Sequence, residues 1–132
     1  MYNLILDSDS LIKLTCSEVI TKLCAAFNCV ITDAVKKETV DEGKKRFYSD
    51  ANVIEGLIEN KLLKIKNPKK IIRMDKDFGE GELSALGLYK NVKNHILVSD
   101  DQAFIGYLEK ENINFLVTAD LILLLKNSKA LL

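Results

Sequence analysis

Three times in this chain a run of three apolar residues stops abruptly at oxygen-bearing side chains. Leu4-Ile5-Leu6 runs into Asp7-Ser8-Asp9-Ser10, Cys29-Val30-Ile31 into Thr32-Asp33, and Ile96-Leu97-Val98 into Ser99-Asp100-Asp101. Short apolar runs bounded by small polar residues read as buried strands. The segments between them carry helical spacing. Strands alternating with helices imply an α/β fold, a three-layer α/β/α sandwich around a central, mostly parallel sheet covered on both faces. Parallel strands bring their carboxyl ends to one edge, where open α/β sheets place their ligand sites. Asp7, Asp100 and Asp101 would meet there, and packing alone is a poor explanation for acids in such a place.

The pattern predicts strands over 2–6, 29–31, 62–65, 95–99 and 114–117. One helix is expected from about Leu11, capped by Ser8 or Ser10, and a second over 17–27. A third runs from a cap at Thr32 or Asp33 to about Val40, with Gly43 as its breaker. Ser49 or Asp50 opens another to about Asn60. The remaining helices are expected over 79–89, with Leu83, Ala85, Leu86 and Leu88 inward, over 100–110 and over 119–126. Pro68, the only proline, stops the third strand, and 69–78 reads as loop. With no repeat, low-complexity tract or linker, residues 1–132 read as one domain, long enough to bury a core.

Nineteen basic and nineteen acidic side chains cancel, so net charge neither supports nor opposes a nucleic-acid partner; only its distribution can. Cys16, Cys24 and Cys29 are an odd number without close Cys or His pairing, and read as reduced core thiols of a cytoplasmic protein. Asp7 interrupts the first apolar run too early for a signal peptide. No apolar stretch approaches membrane-spanning length, so no membrane partner is expected.

Two further acids extend the set. Glu38 lies on the helix after the second strand, and Glu82 in Gly79-Glu80-Gly81-Glu82, at a helix start. Acids near a helix N-terminus favour its dipole, which accounts for Glu80 alone. It does not account for acids gathered at one sheet edge, where like charges repel unless a cation is present. Oxygen ligands without nearby His or Cys suit Mg2+ or Mn2+ rather than zinc. His95 precedes its strand and reads as structural or exposed.

The order Asp7-Ser8-Asp9-Ser10-Leu11-Ile12, Glu38, Gly81-Glu82-x-x-Ala85-Leu86 and Ser99-Asp100-Asp101 resembles the PIN-domain nuclease family across the whole chain. The length is that of a single-domain member such as the VapC-type toxins. The resemblance implies metal-dependent hydrolysis of phosphodiesters, usually in RNA. It implies Asp7, Glu38, Glu82 and Asp101 as catalytic acids and Asp7, Glu82, Asp100 and Asp101 as candidate metal ligands, with the choice between the last two open. Ser8 and Ser99 would orient carboxylates or contact phosphate. Asp9 departs from the family's usual Ser or Asn, and either adds charge to the site or caps the helix. A toxin would have a small antitoxin partner, and homodimerisation is a family expectation.

A nuclease also needs cations for the phosphate backbone. Lys61, Lys64, Lys66, Lys69, Lys70 and Arg73 give six positive charges in a segment without an acid, and Lys44-Lys45-Arg46 is a second cluster beside Phe47 and Tyr48. These read equally as a rim steering RNA and as a solvated face with a lysine-guarded edge strand. Phe47, Tyr48 and Phe78 are candidates for base stacking, with core packing the stronger reading. Three other readings stand. A haloacid dehalogenase-type phosphatase would use Asp7 as nucleophile but leaves Glu38 and Glu82 without a role. A phosphorylation-receiver domain would need a lone acceptor Asp on a middle strand. A catalytically inactive PIN-fold interaction module would keep the fold without turnover.

Overall fold

The alternation within each apolar run decides which face each residue serves. In β1 (Asn3–Leu6), Leu4 and Leu6 enter one core and Ile5 the other. β2 (Asn28–Ile31) repeats this, with Cys29 and Ile31 on the first side and Val30 on the second. Both faces must be apolar because both are covered. The computed structural model describes residues 2–45, 49–74 and 77–127. Among these, β1 and β2 join β3 (Leu63–Ile65), β4 (His95–Val98) and β5 (Phe115–Leu116) in one parallel sheet, ordered β3-β2-β1-β4-β5.

One face is covered by α1 (Ser8–Cys16), α2 (Ile20–Ala26), α5 (Ser49–Glu59) and α8 (Thr118–Asn127), which contribute Leu11, Leu14, Leu23, Ile54 and Leu121 to its core. The other is covered by α6 (Glu80–Asn91) and α7 (Gln102–Lys110), through Ala85, Leu86, Phe104 and Leu108. Short α3 (Asp33–Lys36) and α4 (Glu42–Lys45) flank a π turn, Lys37–Asp41. The three-layer sandwich expected from sequence is therefore present, with every strand pair parallel. β3 lies at a sheet edge, and on it Lys64 donates to Asn28 Oδ1 at 3.2 Å.

Several boundaries differ from expectation for local reasons. α1 starts at Ser8, not near Leu11, because Asp7 rather than either serine is its N-cap. The helix expected over 17–27 starts at Ile20, since Glu18 takes a left-handed φ of 61° and breaks the chain after α1. Gly43 does not break its helix. It is buried within α4, where a β-carbon would stand 3.0 Å from Ala51 Cβ, so its lack of a side chain lets α4 and α5 meet. α7 starts at Gln102, with Asp101 as cap. Cys24 and Cys29 are core thiols as expected, but Cys16 is exposed and donates to Asp50 Oδ2 at 2.9 Å. Leu83 is only half-buried, unlike Ala85, Leu86 and Leu88.

Among the described residues, no helix is long and apolar enough to cross a membrane. Phe104 anchors the α7 side, fully buried and edge-on to Phe78 with ring centres 5.2 Å apart. Phe104→Ala should cost about 3–5 kcal/mol in urea-unfolding free energy. A loss below 1 kcal/mol would mean that this core closes around the gap.

Candidate active site at the carboxyl edge of the sheet

The strand order reverses between β1 and β4, the place where such sheets open a crevice. Leu6 pairs with Val98, so the next residues, Asp7 and Ser99, leave the sheet side by side. The Asp7 N–H donates to Val98 O at 3.3 Å, extending the ladder by one bond. Asp7 then turns into α1 as its cap: Oδ1 accepts from Ser10 N at 2.9 Å and from the Ser10 hydroxyl. That hydroxyl, fully buried, also lies 3.0 Å from Val98 O and so ties α1 to β4. Asp7 is only 3% exposed. Burial pushes its carboxyl above the usual range, and the Ser10 and Ser99 hydroxyls pull against that.

β4 delivers three residues with different fates. Ser99 is buried; its hydroxyl accepts from Asp101 N at 3.3 Å while serving Asp7. Asp101 caps α7, with Oδ2 accepting from Phe104 N at 2.8 Å. Asp100 turns to α8 instead. Its oxygens accept from Thr118 N at 2.8 Å and Thr118 Oγ1 at 2.6 Å, and from Lys13 Nζ at 3.0 Å. Burial alone would raise the Asp100 carboxyl, but these partners outweigh it and hold it low. Asp100 is thus committed to holding α8 and α1, whereas Asp101 makes one capping bond and is coupled electrostatically to Glu82.

Glu82 comes from the first turn of α6. Its Oε1 accepts from the Gly79 N–H at 3.2 Å, half of a capping box whose other half glycine cannot supply. Its Oε2 is buried without a hydrogen-bond partner. Burial, with repulsion from Asp101, Asp7 and Asp9, pushes the Glu82 carboxyl up to about 7 despite the Gly79 bond. Glu38 reaches the same turn from the π turn: Oε1 accepts from Gly81 N at 2.9 Å, substituting for the missing cap. Burial raises Glu38 too; the nearby Ser8 hydroxyl opposes this without meeting hydrogen-bond geometry, and its Oγ remains an unpaired buried atom. A β-carbon on Gly81 would stand 2.7 Å from Glu38 Oε1 and 3.0 Å from Ser8 Oγ. Asp9 is exposed on α1 and acts on Asp7, Glu38 and Glu82 through its charge.

The expected acids therefore gather at one edge, on four elements. Among the described residues, no three acidic, His or Cys side chains already converge as a cage for an ion. The donors nonetheless suit a hard cation: oxygen alone, two capping aspartates each with an oxygen outside its cap, and the orphaned Glu82 Oε2. Sequence reading passed over Ser10 as the residue that orients Asp7; its signal was an Asp-x-x-Ser spacing at a helix start. Lys13, which neutralises Asp100, was also missed, because no local pattern links residues 87 positions apart.

The basic residues divide. Lys44 pairs with Glu55 and Lys64 with Asn28, while Lys45, Lys66, Lys69, Lys70 and Arg73 are exposed. Arg46, Phe47 and Tyr48 lie outside the described residues. Phe78 is half-buried, packed edge-on against Phe104 and Tyr107. His95 is structural, its Nδ1 2.7 Å from Lys93 O. A family model described as a PIN domain matches residues 3–132 of the chain. No curated protein matches it.

Asp7, Glu38 and Glu82 are all raised, so the folded protein holds more protons than the unfolded chain between pH 4.5 and about 7. Without added cation, stability should then fall as pH rises through that window, by about 1–2 kcal/mol for Glu82 after screening. Urea unfolding at pH 5 and pH 7.5 measures it, and Glu82→Gln should flatten the slope. A midpoint that rises toward pH 7.5 would contradict the site's electrostatics.

Proposed function

The chain belongs to the PIN-domain family, whose members are generally nucleases, and on that footing we propose that it is a Mg2+- or Mn2+-dependent endoribonuclease. In this reading RNA phosphodiesters are hydrolysed at Asp7, Glu82 and Asp101. Family membership removes the phosphatase and receiver-domain alternatives. The observation that carries the reading is the pairing of Leu6 with Val98, which sets Asp7 beside Ser99, two residues before Asp101, whose charge acts on Glu82 with its unpartnered Oε2. An acid set this costly to assemble is poorly explained as packing.

Asp7, Glu82 and Asp101 are the residues that would hold the cation. When bound there, a divalent ion supplies an activated water and charge stabilisation for the departing oxygen. Ser10 and Ser99 fix the Asp7 carboxylate, the role that outer hydrogen bonds play at metal sites. Burial raises the Glu82 carboxyl to about 7, and a cation bound beside it would favour the deprotonated form. Glu38 holds the α6 turn in place through Gly81 N, and would hold a water at the site if a cation were bound. Asp100 supports the site from behind, through Thr118 and Lys13, rather than as a ligand. The proposal extends, on family and size, to a toxin acting as a homodimer and silenced by a small antitoxin over the acidic edge.

Purified protein should cleave a single-stranded RNA with Mg2+ or Mn2+ and stop on chelation. Asp7→Asn should abolish cleavage, yet raise unfolding free energy by about 0.5–2 kcal/mol, since asparagine still caps α1 and one buried charge is gone. Cleavage by Asp7→Asn and Glu82→Gln at the parental rate would refute the assignment.

The two neighbouring aspartates should separate cleanly. Asp101→Asn should lower the cleavage rate at least about 100-fold with little change in stability, because asparagine also caps α7. Asp100→Ala should cost about 1–2 kcal/mol of stability by stranding Thr118. Equal rate losses in Asp101→Asn and Asp100→Asn would make Asp100 a direct ligand.

A further inference from the structure

A groove of about 610 Å3 lies beside the acid cluster, between the segment 67–74 and the starts of α3 and α6. That volume is within the range of small-molecule sites, about 300–1,000 Å3. The segment is fastened in place. Asn67 exchanges two hydrogen bonds with Asp33, at 2.8 and 2.6 Å, and Lys69 N donates to Asn91 Oδ1 at 2.7 Å. Pro68 rests on α6 over Gly87, where a β-carbon would come within 3.0 Å of Pro68 Cβ. The groove is thus built into the fold.

Most of its walls are apolar, including Pro68, Ile71, Phe78 and Leu83, and its polar members are Arg73, Glu80 and Ser84. Ile71 is 80% exposed, a large apolar side chain left in water at the groove. Exposed Lys69 and Lys70 adjoin it. The groove is also continuous with the acids. Leu83 and Ser84 line it and directly follow Glu82, and Ser84 donates to Gly81 O at 2.9 Å within the turn that Glu38 caps. One helical turn therefore faces both places.

We propose that this groove is a nucleotide subsite, which takes one unstacked base of single-stranded RNA next to the phosphodiester held at the carboxylates. The proposal rests on the nuclease reading above and adds to it where the strand runs. Apolar and aromatic walls suit a base face, and Arg73, Lys69 and Lys70 suit its phosphates. A peptide partner has the apolar part of that match but not the phosphates.

The test uses Asp7→Asn protein, which binds without cutting, and a fluorescent ten-nucleotide RNA read by anisotropy with Mg2+ present. Ile71→Glu and Arg73→Glu in that background should each raise Kd about tenfold, the loss expected when one base no longer stacks. Lys22→Glu on α2 makes the same charge change as Arg73→Glu, a larger one than Ile71→Glu, and as a control should move Kd less than twofold. A 4-thiouridine oligonucleotide should photo-crosslink to the peptide carrying Ile71 and Arg73. Parental affinity in both groove variants, or crosslinks confined to other elements, overturns the subsite while Asp7-dependent cleavage keeps the nuclease reading. Absence of cleavage by the parent, with no RNA bound by Asp7→Asn, overturns both. Loss of a co-purifying protein from Ile71→Glu with unchanged RNA affinity overturns the base and makes the groove a protein interface.

Discussion

The pairing of β1 with β4 is the constraint on which everything else depends. Four residue pairs, from Asn3 with His95 to Leu6 with Val98, set two strands in register although paired residues lie ninety-two positions apart in sequence. A slip of one residue would move Asp7 away from Ser99 and exchange the two cores, because Ile5 and its neighbours serve opposite faces. Ser10 reinforces the register by touching both Asp7 and Val98 O. The site is therefore no separate addition to the fold. It is what the sheet presents once its central strands are aligned.

The chemistry at this edge works against stability. Three carboxyls, Asp7, Glu38 and Glu82, are pushed upward mainly by burial, and several repel one another. What offsets the cost is backbone. α1 is capped by Asp7, α7 by Asp101, and α6 by Glu82 and Glu38, so each acid satisfies N–H groups that a helix start would otherwise leave open. Three helix N-termini aim at one place, and their dipoles favour the negative charge found there. The same carboxylates thus cap a helix start with one oxygen, and in the proposed function would serve the chemistry with the other.

What could be read from sequence follows from this division. The five strands and the acids at their ends were legible because apolar runs and their polar stops are local signals, and parallel pairing sends the ends to one edge. The separation of Asp100 from Asp101 was not legible, since it turns on Thr118 and Lys13, both far away in the chain. Nor was the π turn, for Lys37 to Asp41 carry ordinary helical residues. Gly43 misled because glycine breaks helices in solution, whereas here it lets two helices touch. The groove beside α6 was invisible as well, since its walls look like any loop until Pro68 is seated on Gly87.

The bond from Gly81 N to Glu38 has a consequence for how such a chain changes over generations. A β-carbon at position 81 would stand 2.7 Å from Glu38 Oε1, forty-three residues away, so a side chain there needs the glutamate to move. A lineage that acquires alanine at 81 gains helix propensity and loses the seat of Glu38, and one that loses Glu38 leaves α6 without its borrowed cap. Related sequences should therefore show positions 38 and 81 covarying, even though the chain offers no local hint of the link.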